Sequence, residues 1–328
     1  MLIYLFRKGA VFGNQQFTMR NLTFYNAVTA IDQIWDWGWT YKGINIYNCS
    51  VGLDFSSGGS TGQSVGSITF IDSSITNTPI GLLTAHSATS LPPTAGSLIL
   101  ENVQLNNVPV AIQGPGSTTY LAGSSGSMKI AAWGQGHSYT PTGPVNIMGP
   151  ISPFPRPGSL LEDGDKFYER SKPQYATVPV SQFSSVRDGG AKGDGITDDT
   201  AALAQVIAQA AKSGKIVFFD AGTYKVTSTL YIPSGSKIVG ESYPNIMGSG
   251  SFFSDMSKPQ PVIRVGTTHE RGSIEWSDMI VSTQGATAGA ILVEFNLASS
   301  SSAPSGIWDV HARVGGFAGS SKHSGSNW

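Results

Sequence analysis

Short runs of alternating apolar and polar residues recur through the first third of the chain. Four of them superpose: "FTMRNLTFYNAVTAI" (17–31), "INIYNCSVGLDF" (44–55), "ITFIDSSITNTPIGL" (68–82) and "LILENVQLNNVPVAI" (98–112). Each reads as a strand of four or five residues closing on a polar corner, at Asn21, Asn48, Asp72 and Asn102. An apolar side chain follows three residues on, at Phe24, Val51, Ile75 and Leu105. Three of the segments then carry a second asparagine, Asn26, Asn77 or Asn107, and end on Ile31, Leu82 or Ile112, whereas the second segment lacks this tail. A period of twenty to thirty residues is the mark of a repeat architecture. Asparagine suits its corners because it tolerates the left-handed backbone region and bonds nearby main chain. The pattern predicts coils of a parallel β-helix, an all-β solenoid whose strands stack and bury one continuous core. A β-sandwich also has short, evenly spaced strands, but it would not place the same corner at the same phase four times.

Beyond Gly114 the pattern loosens, and residues 133–175, rich in Gly and Pro, show no strand or helix period. They read as a crossing between two bodies, anchored by Tyr139, Phe154, Phe167, Tyr168 and Tyr175. Patterning returns at "FSSVRDGGAKGDGITDDTAALAQVIAQAAKSGKIVFFDAGTY" (183–224). Thr197 is a candidate N-cap, with Asp198 and Asp199 in the first turn, where the helix dipole favours negative charge. Ala202, Leu203, Val206, Ile207 and Ala210 form an apolar stripe at helical spacing, and Gly214 is placed to end the helix. Buried strands follow at 216–219, 230–232 and 238–239, with later coils at 261–266, 272–282, 290–297 and 305–316. A solenoid needs its first coil closed, so 183–214 reads as the cap of a second β-helix. The predicted organisation is the last coils of one β-helix (1–130), a linker (131–182), and the cap and first coils of another (183–328). The first body shows coils without such a cap, which predicts a chain that is a piece of a longer protein.

Composition narrows the function classes. Charged residues make up 12% of the 328 residues, and Gly is abundant at 40, which suits a turn-rich β fold with neutral polar surfaces. Net charge is −1, giving no basis for nucleic-acid or anionic-membrane binding. No apolar run approaches the length of a membrane helix, and "MLIYLFRKGAVF" lacks the parts of a signal peptide. Cys49 is the single cysteine, so no internal disulfide framework exists, and a buried thiol is expected. Asn21-Leu22-Thr23 and Asn48-Cys49-Ser50 have the form of glycosylation acceptors.

The stretch "GAKGDGITDDTAAL" with "GKIVFFDAGTYKVTSTLYIPSGSKIVGES" resembles the opening of pectate lyase-like β-helices. The blocks "AVFGNQQFTMRNLTF", "IWDWGWTYKGINIYNC", "YERSKPQY", "EWSDMIVSTQGATAGAILVEFNL" and "GIWDVHARVGGFAGS" are similar to glycoside hydrolase family 55, exo-acting β-1,3-glucanases, over nearly all of residues 9–320. The resemblance implies two tandem right-handed β-helices side by side, a glucan end entering between them, a monomeric secreted enzyme, and inverting hydrolysis with no metal or organic cofactor. Inversion needs a protonated carboxyl at the leaving oxygen and a water held on the opposite face of the sugar. No stretch matches the family's acid or its water-holding groups, which are expected on coils outside this chain, so no catalytic residue is assigned. A non-catalytic glucan-binding or structural β-helix and a pectin-active enzyme on the same fold remain as alternatives, because fold does not fix function.

Two groups are candidate substrate contacts. Trp35, Trp37 and Trp39 alternate and would share one face of a strand. Indole faces stack on sugars, although packing against the core is the more ordinary fate and is favoured here. Trp308, Asp309 and His311 lie on a late coil, with Asp309 and His311 on the face opposite Trp308 and Val310; a cleft wall is one candidate role, and a surface ladder or a hydrogen bond between the β-helices is favoured over it. Capping and loop bonding account for Asp194, Asp198 and Asp199 better than calcium does, since a calcium loop wants more oxygen ligands at set spacing. Glu275 and Glu294 fall in strands and do not match the family's acid. Gln15, Gln16 and Gln33 could bond sugar hydroxyls or one another as an amide ladder between coils, and the ladder is favoured.

Overall fold

A computed structural model of the chain describes residues 6–87, 89–90, 92–299 and 304–315. It divides into two compact units, Met1–Tyr168 and Glu169–Trp328. Each is a stack of short parallel strands in the pectate lyase-like β-helix arrangement.

In the first unit a coil lays down strands on three faces. The first face carries Gln16–Arg20, Gly38–Lys42 and the opening halves of Ser67–Thr76 and Ser97–Gln113. The second begins with Thr23–Tyr25 and Asn45–Tyr47, and the third with Phe6–Gly13, Ala27–Trp35, Val51–Phe55 and Ile80–Thr84. In-register pairing stacks like on like. Met19, Tyr41, Phe70 and Leu100 form one inward column, Phe24, Ile46, Ile75 and Leu105 a second, and Ile31, Leu53, Leu82 and Ile112 a third. Period-two alternation puts these side chains inside, where they form the unit's core.

The corners differ from the sequence expectation in one respect. Two columns of left-handed residues run along the unit. One holds Asn21, Gly43, Asp72 and Asn102; the other holds Asn26, Asn48, Asn77 and Asn107, all with φ between 50° and 66°. Asn48 therefore stacks with Asn26 and not with Asn21, and Ile46, not Val51, is the inward partner of Phe24. The slip arises because the three-residue strand of the second face has an αL corner at each end. The motif is thus self-similar over five residues, and glycine fills the first corner of the second coil. Leu53 supplies the tail residue that the misaligned segment appeared to lack. The interstrand amide ladder is made by asparagines: Asn107 Nδ2 donates to Asn77 Oδ1 at 3.0 Å, and Asn77 Nδ2 donates to Asn48 Oδ1 at 3.2 Å. Cys49 is buried beside this column.

The stretch expected to lack strands does not. Thr119–Thr140 runs antiparallel along the last parallel coil, from Gln113↔Thr119 to Leu98↔Gln135, and Gly143–Pro150 pairs back onto it. This hairpin covers the edge that the stack would otherwise expose. Its alternation is hard to read because small residues (Gly, Ala and Ser) are interspersed along both strands and apolar Val145 and Met148 face outward, while Ile130, Ala132 and Trp133 are buried. Ionic contacts, more than the expected aromatics, fasten residues 151–168 to the stack; Tyr139 is 73% exposed. Arg156 bonds Asp72 and Glu101, with its guanidinium over the Phe167 ring at 4.2 Å.

The second unit opens with Phe183–Ser185 and a helix, Thr200–Ser213, whose buried residues Leu203, Val206, Ile207 and Ala210 pack into the core. Asp199, not Thr197, is the N-cap position; Thr197 lies in the strand Asp194–Asp198. The three aspartates organise the loop. Asp194 accepts from the Ile196 and Thr197 N–H groups, and buried Asp199 accepts from those of Lys192 and Gly193. Asp198 accepts from the Thr200 N–H and the Thr227 hydroxyl. Gly214 closes the helix at φ 70°, its N–H bonded to the Ala210 carbonyl. Parallel strands then stack as Ile216–Phe219, Lys237–Gly240 and Glu275–Gln284 on one face and Leu230–Ile232, Gln260–Val265 and Ala290–Phe295 on another.

Candidate functional site

The tryptophan triplet does not lie on one strand. Ala27–Trp35 ends where the chain turns a corner, and Gly38–Lys42 begins after it. The corner is fixed by main-chain bonds, with the Trp37 and Gly38 N–H groups donating to the Gln15 carbonyl at 2.7 and 3.2 Å. The three indoles consequently part company. Trp39 is only 4% exposed, its ring stacked on Phe12 and Phe17 at 5.9 and 5.4 Å, so it is a core residue and offers no face to a ligand. Trp37 is 62% exposed and Trp35 37% exposed, with ring centroids 6.4 Å apart and planes tilted by 58°. Exposed Asn14, Gln15, Gln16 and Phe17 lie on the neighbouring segment. The result is an aromatic corner whose exposed side chains, the two indoles and the neighbouring amides, carry no charge, the chemistry that suits an unionised, hydroxyl-rich partner.

A buried polar chain lies beneath this corner, and the sequence did not single it out. Asp36, between the exposed indoles, is itself buried. One carboxylate oxygen accepts from the Gly66 and Ser67 N–H groups, both at 3.1 Å, and the other has no partner. Burial pushes its pKa up to about 6 against those two bonds. Gln33, fully buried, donates to the Trp35 carbonyl at 3.0 Å and accepts from the Tyr41 hydroxyl at 2.5 Å. Burial first, and the Asp36 charge second, raise the Tyr41 hydroxyl pKa, so Tyr41 remains a donor. Gln33 thus belongs to the interior rather than to an intercoil ladder. The available signal was a lone acid inside an aromatic run, Trp35-Asp36-Trp37.

On the second unit, Trp308, Asp309 and His311 are drawn into separate contacts. The Trp308 indole N–H donates to the Arg170 carbonyl at 3.1 Å. Asp309 is an αL corner at φ 53°, stacked with Asp278, and Lys172 bridges the two at 2.9 and 2.7 Å. His311 meets the Tyr243 ring edge-on at 5.4 Å. Glu275 pairs with Arg170 and accepts from the Tyr175 hydroxyl at 2.6 Å. Glu294 is held below the usual carboxylate range by bonds from Asn296 and Arg264. Among the described residues, no group of three or more His, Cys, Asp and Glu side chains is placed to hold a metal ion.

Comparison with known proteins adds to this geometry. The family described as rhamnogalacturonase A/epimerase, pectate lyase-like, matches residues 6–54 and 183–276, one stretch in each unit. Over 314 residues the chain is 51% identical to a glucan 1,3-beta-glucosidase of Cochliobolus carbonum, covering 95% of this chain and 39% of the relative. It is 36% identical to a probable glucan endo-1,3-beta-glucosidase of Arthroderma benhamiae, with 96% and 46% covered. A non-secreted LysM effector of Penicillium expansum is also 36% identical, over 95% of this chain and 25% of that protein. The chain spans less than half the length of each of these relatives.

Proposed function

We propose that this chain is part of a β-1,3-glucan hydrolase of the exo-acting glycoside hydrolase family 55 type, working by inversion. The 51% identity to a glucan 1,3-beta-glucosidase across 95% of the chain carries the reading. The exposed Trp35 and Trp37 indoles support it, since a neutral polymer gains from indole stacking. The partner is a β-1,3-glucan or its oligosaccharides, and the protein acts as an exported monomer. The acid that protonates the leaving oxygen belongs to a coil outside residues 1–328. Asp36 is spent on main-chain bonds inside a corner, and Glu275 and Glu294 are spent on ion pairs. Laminarin offered to a version extended at both ends should yield glucose. Release of uronic-acid products from pectin, with laminarin untouched, would overturn the reading. A second reading, a glucan-binding β-helix without chemistry, is favoured by the engagement of these carboxylates. It predicts that the extended version retains laminarin on a gel without cleaving it.

A further inference from the structure

The first unit holds a cavity of mixed polar and apolar lining, apart from the tryptophan corner. It lies between the loop after Ile80–Thr84 and the antiparallel hairpin, has a volume of about 230 Å3, and is lined by His86, Ser87, Ser90, His137 and Asn146 opposite Pro93, Ile147 and Met148. Among the described residues, no Asp, Glu, Lys or Arg side chain lines it.

We propose that this cavity is a binding site for one neutral hexopyranose ring, either a free sugar or the terminal residue of a glucan chain. The inference rests on the cavity's own chemistry and deepens the glucan reading. His86 is held rigidly: its N–H donates to the Thr84 hydroxyl at 3.0 Å, its carbonyl accepts from the Tyr120 hydroxyl at 2.9 Å, and its Nδ1 lies 2.9 Å from the Ala95 carbonyl. A carbonyl can only accept, so Nδ1 is the donor in this contact and Nε2 is the ring's remaining polar atom. Ser90 is equally fixed, its hydroxyl oxygen accepting from the Ser87 N–H at 2.7 Å and from Gln63 Nε2 at 3.1 Å. His137 and Asn146 face each other across the hairpin as paired residues.

Just behind the wall, Gln63 and Gln135 are buried, and the carbonyl oxygen of each amide has no partner. Gln135 spends its amide nitrogen on the Thr84 hydroxyl and the Gly96 carbonyl, at 3.0 and 2.7 Å. A Cβ placed on Gly96 would sit 2.7 Å from the free Gln63 oxygen and 3.1 Å from the His86 Cβ, so glycine keeps this wall thin. Neither glutamine is among the lining residues, so the groups that meet a ligand are those of His86, Ser87, Ser90, His137 and Asn146. Hydroxyls supply donors without bringing charge, and the Pro93, Ile147 and Met148 side suits the C–H face of a pyranose. The volume admits a single ring and not a chain.

The test is a titration of this chain followed by NMR of the His86 and His137 imidazole C–H signals, with glucose, laminaribiose and galacturonate as separate probes. The proposal expects both signals to shift saturably with glucose, and galacturonate to have at least tenfold weaker effect. A stronger response to laminaribiose assigns the site to a glucan end, and an equal response assigns it to a free sugar. Asn146→Ala, on the hairpin surface, should weaken the response at least fivefold with an unchanged melting temperature. No shift with either neutral sugar, or an equal shift with galacturonate, overturns the proposal. Laminarin hydrolysis by the extended protein is scored separately. Hydrolysis without histidine shifts sinks the cavity alone, and shifts without hydrolysis sink the enzymatic reading alone.

Discussion

Replacing Arg156 by alanine removes the cation that joins the strap after the hairpin to the first β-helix. In the native unit its guanidinium reaches Asp72 at 2.9 Å and Glu101 at 2.7 Å. Those two side chains are 0% and 1% exposed, and that of Arg156 is 16% exposed. Burial opposes the charge on Arg156, but the bonds it donates to Glu101 and Asp72 outweigh it and raise its pKa. Without the arginine, Asp72 keeps donors from Asn102 and the Phe167 N–H, and Glu101 keeps the Phe154 N–H. Two buried carboxylates would then have only neutral partners. Breaking a buried pair from one side costs about 3–5 kcal/mol, whereas an exposed pair is worth about 0–1 kcal/mol. Burial places R156A in the first class. Urea unfolding at pH 7 should move the midpoint of the first unit down by about 1–2 M, taking a slope of about 2–3 kcal/mol/M. Glu101→Gln added to R156A should recover part of the loss, because it removes one stranded charge. A cost under about 1 kcal/mol, or no recovery in the double variant, would refute the claim that this is a buried network.

Further outcomes follow from the corner and its ladder. Asp36 has a folded-state pKa of about 6 against an ordinary 3.8, so the folded state binds the proton more tightly. Stability should fall by up to about 3 kcal/mol as pH rises through that interval. Asp36→Asn should flatten this slope and be more stable than the native chain at pH 8; an unchanged slope between pH 4 and 6.5 in urea melts would contradict the assignment. Trp37→Ala should leave stability within about 0.5 kcal/mol and weaken laminarin retention in affinity electrophoresis. Trp39→Ala should cost about 3–5 kcal/mol, and equal melting temperatures for the two variants would be the contrary result. Asn77, at φ 50° in the ladder, should tolerate glycine better than alanine by about 1 kcal/mol, read from the same melts.

The parts of the fold that repeat strictly were legible. Alternation with αL-prone corners pointed to a β-helix, and the stripe Leu203, Val206, Ile207, Ala210 marked the helix on the second unit. The slip at Asn48 shows the limit of pattern matching. Two corners separated by one short strand look alike, and only strand pairing tells which stacks on which. The hairpin was missed because small residues are scattered through it and apolar side chains such as Val145 and Met148 face outward, which blurs any hydrophobic period. At the candidate site the tryptophans were visible but their separation was not, since it depends on a turn held by the Gln15 carbonyl. Contacts such as Arg156 with Asp72 and Glu101 join residues 84 and 55 positions apart, and no local pattern encodes them.

Inverting cleavage of β-1,3-glucan, proposed above, has a direct stereochemical readout. Proton NMR during the first minutes of laminarin digestion by the extended protein reads the anomer released. Inversion at a β-linkage releases α-glucose at first, equilibrating later with the β form. β-Glucose appearing first, or no sugar released at all, would contradict it.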